Sequence, residues 1–212
     1  VFERVNGNTP FKTRFIIDHA ETISERNIDR IKALGAGIAT QHRMAFQGEY
    51  FVARYGAEAA RATPPIGKML EAELPVGGGT DATRVASYDP WVALFWLTTG
   101  QTLGKMPMYP EDNVLSREDA LRIWTAGSAW FSGEQDVKGR LAPGMYADFA
   151  VLSADYMSVP APEILDINAV LTVVAGKVVY GEGDFHSMSP PLPPASPGWS
   201  PVNAHPSPGQ RT

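Results

Sequence analysis

The sequence predicts an α/β fold: a parallel sheet carrying helices, followed by a small β module. Three observations carry that prediction. Short apolar runs alternate with amphipathic stretches three times over, the pattern of βαβ units. Each of those runs stops on polar residues. After Gly139 the texture changes to β-rich segments without intervening helical periodicity. The 212 residues are 44% hydrophobic and 19% charged, so a sizeable core is available and wholesale disorder is excluded.

Taken in order, Arg14-Phe15-Ile16-Ile17-Asp18-His19 is a strand that ends in polar residues. Glu21 to Leu34 follows as a helix, with Ile23, Ile28, Ile31 and Leu34 near helical spacing and Gly35 as its stop. Gly37 to Gln41 is a second short strand, closed by His42-Arg43-Met44. The segment from there to Pro65 is expected to be irregular and only partly helical, and Ile66 to Ala72 a helix. Leu74 to Asp81 is the third strand. Pro90 to Gly100 is apolar on every side and is predicted to be a buried helix. Ser116-Arg117-Glu118-Asp119 opens another with a capping-box pattern, running through Trp124 to about Trp130. The tryptophans of these helices are read as core. Gly144 to Leu152 and Leu171 to Tyr180 are β-rich, and Ala175-Gly176-Lys177 marks a hairpin turn inside the second.

From Phe185 onward prolines recur at 190, 191, 193, 194, 197, 201, 206 and 208. Each fixes φ and removes a donor, so residues 185–212 are expected to be an extended arm with Trp199 as its anchor. Lys+Arg 18 against Asp+Glu 23 gives a formal charge of −5, which offers no electrostatic footprint for nucleic acid or an anionic membrane. No apolar run approaches the roughly 20 residues of a bilayer span. Cys 0 removes disulfides, thiolate metal sites and cysteine nucleophiles together.

In parallel α/β proteins chemistry sits at the carboxyl ends of the strands. Here those ends carry His19, the Gln41-His42-Arg43 group and Asp81. An imidazole and a carboxylate suit a divalent metal with nitrogen and oxygen ligands: zinc, manganese, iron or nickel. Read alone, His19 is a hydrogen-bonded histidine at a strand terminus before it is a ligand, and Asp81 a cap for the next segment. His42 is read as facing substrate or standing behind the site, and His186 and His205 are given no role.

Three segments narrow these alternatives. Arg14-Phe15-Ile16-Ile17-Asp18-His19-Ala20-Glu21 resembles the strand-6 motif of the amidohydrolase superfamily, in its amidohydrolase-3 or YtcJ-like branch. Gly78-Gly79-Thr80-Asp81-Ala82 resembles the strand-8 motif of that branch. Asp136 to Leu152, continued by Thr172 to Tyr180, is similar to the stretch that enters the β-sandwich domain of the family. Gln41 falls where the branch often has glutamine after strand 7. Asp18 stands where the family more often has glutamate.

The resemblance implies the C-terminal part of a metal-dependent hydrolase (β/α)8 TIM barrel, strands 6 to 8 with their helices. It divides the chain into a partial barrel at 1–135, a β-sandwich segment at 136–184 and the Pro-rich tail at 185–212. It implies that His19 and Asp81 bind a divalent metal, expected to be zinc, and that Asp81 takes a proton from the attacking water. Gln41, His42, Arg43 and Arg84 are expected to face a small-molecule substrate with a non-peptide C–N bond, Arg84 as the clamp for a carboxylate. The His-x-His pair of strand 1 and the ligands of strands 4 and 5 have no counterpart here. A complete barrel takes about 250 residues. The chain is therefore expected to need an N-terminal portion for activity and to associate with itself through its open edge. The competing expectation is a non-catalytic fragment that self-associates, and an unrelated small α/β domain is the third.

Overall fold

The computed structural model describes residues 1–82, 86–191 and 198. Three strands, Ile16–Asp18 (β1), Gly37–Gln41 (β2) and Val76–Gly79 (β3), form a parallel sheet in the order β1-β2-β3. Registers Ile17↔Ile38 and Ile38↔Val76 set one apolar row across the sheet. It joins a buried cluster with Ile28, Ile31, Met69, Leu94 and Trp96. Full burial of each such side chain stabilises the fold by about 1.5–3 kcal/mol, so this cluster is the principal reason the sheet persists. On the opposite face Gly37, Ala39 and Gly77 are small. A Cβ on Gly37 would stand 2.7 Å from the Trp130 ring, and one on Gly77 2.7 Å from that of Phe131, so both aromatics lie directly on the backbone.

The connections are helices. Phe2–Val5 (α1) is tied to Glu25–Ala33 (α2) by a two-pronged Glu3–Arg30 pair at 2.7 and 2.5 Å. α2 begins later than the sequence predicts, because residues 19 and 20 turn through the left-handed region first. Arg43–Tyr55 (α3) is a regular helix of 13 residues where the sequence suggested an irregular segment. Its Gly48 weakens the helical signal in the sequence. In the fold that glycine is the contact point for Thr102 and Met108, each within 2.8 Å of where its Cβ would be. Ala57–Ala60 (α4) and Ile66–Glu71 (α5) complete the passage to β3. Pro90–Thr99 (α6) matches the expectation: Asp89 Oδ1 accepts from the Trp91 amide at 2.9 Å, Pro90 occupies the first turn and Gly100 ends the helix at φ +65°.

Arg117–Arg122 (α7) starts on the predicted cap, with Ser116 Oγ accepting from the Asp119 amide at 3.0 Å. It then widens into a π-turn at Ile123–Gly127 before Ser128–Phe131 (α8). The widening brings Ser128 to the outer edge of β3. Its hydroxyl accepts from Gly78 N at 3.1 Å and donates to Gly78 O at 2.8 Å, occupying backbone groups that an edge strand leaves open. The outer edge of β1 has no partner strand among the described residues, and Ile16 there is exposed.

Phe149–Leu152 (β4), Ala169–Val174 (β5) and Lys177–Gly181 (β6) form an antiparallel sheet in that order. The predicted hairpin is present, with Ala175 and Gly176 both at positive φ as a two-residue turn of this hand requires. A short helical segment, Ala161–Asp166, seats Ile164 in the main cluster and joins the β module to the body. Phe149, Val151, Val179 and Tyr180 remain exposed on the module. Most of the Pro-rich arm, with Trp199 and His205, lies outside the described residues.

Candidate functional site at the carboxyl edge of the parallel sheet

Parallel pairing brings the ends of β1, β2 and β3 to one edge. Residue 19 is still held in the ladder, since its amide donates to the Ala39 carbonyl at 2.9 Å. The chain then leaves the sheet with His19 at φ +73° and Ala20 at φ +56°. After β3 the same happens at Asp81, at φ +52°. L residues other than Asn and Asp reach this region at a cost of about 1–2 kcal/mol each, and such strain concentrates at functional sites. The His19 side chain is 38% exposed. Asp81 is exposed. Gln41 and Arg43 are half-buried beside them, and His42 starts α3 with a ring only 1% exposed.

Polar satisfaction singles out this edge. Among the described residues, the buried side-chain nitrogens and oxygens without a hydrogen-bond partner are His19 Nδ1, Glu21 Oε1, Gln41 Oε1, both ring nitrogens of His42, Arg43 Nε and Trp96 Nε1. All but the last belong to the ends of β1 and β2. An unpaired buried group costs about 1–3 kcal/mol, so a native fold does not gather them without compensation.

Glu21 is the residue the sequence reading passed over. Its side chain is 15% exposed, and Oε1 stands 3.5 Å from His19 Nδ1. The signal was present in the spacing, two positions after the histidine, but only the turn at residues 19 and 20 brings the two groups together. Arg84 lies outside the described residues.

His42 packs its ring against Phe46, with centroids 5.5 Å apart. Burial pushes its pKa down, against the opposing pull of the Asp89 carboxylate. A histidine held neutral in this way favours the folded state fully above the unfolded pKa of about 6.5, and that contribution is lost as pH falls through the lower folded value. Wild-type stability is therefore expected to drop between pH 7.5 and 5.5 more steeply than that of His42→Phe, by up to about 1.4 kcal/mol per pH unit. Urea midpoints at the two pH values check this, and equal slopes would remove His42 as the cause.

The donors present suit a divalent metal in kind: an imidazole, carboxylates, and no thiolate. They do not suffice in number. No group of three His, Cys, Asp or Glu that could hold a metal exists among the described residues. β2 stands between the strands bearing His19 and Asp81, so two interstrand spacings, about 10 Å, separate those backbones.

Comparison with known proteins places this edge in context. The family model described as "Amidohydrolase family" matches residues 1–180. "Putative amidohydrolase YtcJ" of Bacillus subtilis is 24% identical over 165 residues, which are 76% of this chain and 31% of that protein. "N-substituted formamide deformylase" of Arthrobacter pascens is 24% identical over 181 residues, covering 84% of this chain and 33% of that one. Among solved structures, a metal-dependent hydrolase from Pyrococcus horikoshii superposes with a TM-score of 0.63 at 25% identity over 76% of this chain and 32% of its own. An atrazine chlorohydrolase from Arthrobacter aurescens, complexed with zinc, gives 0.57 at 26% identity over 84% and 37%. The chain thus spans about a third of the length of the relatives it matches.

Proposed function

The chain belongs to the amidohydrolase family, and from that premise we propose that it is the C-terminal portion of a metal-dependent hydrolase acting on a non-peptide C–N bond of a small molecule. The observation that carries the reading is the set of buried polar atoms left without partners at the ends of β1 and β2. The relative named for deformylation of N-substituted formamides makes that substrate class the first to assay.

His19 and Asp81 would hold the metal, with zinc the expected ion. Bound there, it would polarise a carbonyl oxygen and lower the pKa of a water from 15.7 to about 7. Asp81, exposed at its turn, takes the proton of the attacking water. Gln41 and Arg43 orient the substrate from the end of β2, with Arg84 as the clamp for a carboxylate. His42 supports them from beneath, because a ring 1% exposed does not meet substrate in this arrangement.

The remaining ligands are proposed to come from a further part of the fold, N-terminal to these strands, which closes the (β/α)8 barrel. On this reading residues 1–135 form the partial barrel, 136–184 part of a β-sandwich and 185–212 the arm. Barrel closure at β3 would require Ser128 to release the Gly78 amide and carbonyl to a neighbouring strand. One observation favours the second reading, a fragment that self-associates without chemistry: the unpaired edge of β1, with Ile16 exposed beside it.

Equilibrium dialysis against zinc, followed by elemental analysis, separates the two. His19→Asn and Asp81→Asn are the appropriate variants, since asparagine accepts the left-handed backbone at both positions. In the enzyme with its N-terminal portion present, bound zinc is expected to fall in both. Zinc that is the same in wild type and both variants, together with a concentration-dependent increase in mass on sedimentation, would favour the fragment.

A further inference from the structure

Among the described residues, the only ion-pair partner of Glu21 is His19, and neither of the facing atoms has a hydrogen-bond partner. In an extended strand, side chains two residues apart share a face but stand about 6.6 Å apart along the chain. The two left-handed residues, His19 and Ala20, fold the chain so that Glu21 Oε1 comes to 3.5 Å from Nδ1. That separation is longer than a hydrogen bond of about 2.7–3.2 Å, as is common for site groups before ligand binding. The imidazole is asymmetric in its surroundings: Nδ1 is buried, whereas the side chain as a whole is 38% exposed, so the accessible part of the ring lies away from Glu21.

We propose that Glu21 is a positioning residue for His19: its carboxylate accepts the Nδ1–H, fixes that tautomer and ring orientation, and leaves Nε2 as the nitrogen that binds a metal. The inference rests on the reading of His19 as a ligand. The physical reason is general. A neutral imidazole donates from one nitrogen and binds through the other, and an acceptor on the first nitrogen both selects the tautomer and raises the basicity of the second. Two further features agree with it. The close approach of the two side chains is made by the left-handed backbone at residues 19 and 20. The carboxylate, with its side chain 15% exposed, is buried too far to serve as a solvated surface charge.

The test begins without metal. Long-range ¹H–¹⁵N spectra of the 212-residue chain near pH 8, with the His19 signals assigned by loss in His19→Asn, report which ring nitrogen carries the proton. The expected result is an Nδ1–H imidazole in wild type. Glu21→Gln should retain it, because the amide oxygen still accepts, whereas Glu21→Ala should lose it to the Nε2–H form. Glu21→Gln is nearly isosteric, so a change confined to Glu21→Ala is not a general folding defect. In the enzyme with its N-terminal portion present, zinc affinity should then fall about 10- to 100-fold in Glu21→Ala. An unchanged tautomer in Glu21→Ala overturns the proposal, whatever the zinc data show. A tautomer that follows Glu21, with zinc binding indifferent to His19→Asn, supports the Glu21–His19 pairing and overturns the metal reading of His19 instead.

Discussion

Replacing Asp81 by asparagine in the active enzyme is expected to lower kcat by about 100- to 10,000-fold, with KM moving far less. Asparagine keeps the size and polarity of the side chain but can take no proton at neutral pH. It also accepts the backbone conformation at φ +52°, which Asp and Asn reach more readily than other residues with a Cβ. Alanine would confound the result, since it removes the carboxylate and adds backbone strain at once. Asp81 is exposed and makes no ion pair among the described residues, so the fold has little to lose by the change. Steady-state kinetics on N-substituted formamides provide the measurement. A kcat within threefold of wild type would take the proton-transfer role away from Asp81. A loss in KM with kcat preserved would make Asp81 a binding group.

The parts of this architecture that the sequence reveals are those fixed by local chemistry. β2 was legible to the residue because an apolar run between glycine and a polar cluster has few other solutions, and α6 because Asp89, Pro90 and Gly100 mark both its ends. The strand ends, and with them His19, Gln41 and Asp81, followed from the same pattern. What escaped the sequence depends on contacts made elsewhere in the chain. α3 was obscured by Gly48, whose value lies in admitting Thr102 and Met108 some fifty residues on. Glu21 was visible as a residue but not as a partner, because a strand pattern carried past His19 gives no hint of two successive left-handed positions. The burial of His42 likewise comes from Phe46 and the elements closing over it, which no spacing rule states.

The π-turn in the last long helix is the clearest case of a tertiary cause, and it makes a prediction whose sign is contested by two known effects. Gly127 has ordinary helical angles, φ −60° and ψ −49°, so nothing in its own conformation calls for glycine. Helix propensity alone says that alanine there should stabilise the protein by about 1 kcal/mol. Sterics say the reverse. A Cβ on Gly127 would overlap the Val76 carbonyl oxygen, a backbone atom of β3 that no rotamer change can move aside. Overpacking against a rigid neighbour costs about 1–3 kcal/mol, and at the upper end of that range it exceeds the propensity gain. Gly127→Ala is therefore expected to destabilise the chain by about 2 kcal/mol, a fall of about 4–8 °C in Tm for a chain of this size. Gly48→Ala is the control. There the added methyl meets the sulfur of Met108, which can swing away, and the methyl of buried Thr102, which cannot, but no backbone atom outside its own helix. The fall in Tm should be smaller than for Gly127→Ala, about 2–4 °C. Thermal unfolding of the two variants in parallel decides the matter. If Gly127→Ala raised Tm, the close seat of this helix against β3, and with it the Ser128 bonds to Gly78, would not be the arrangement in solution.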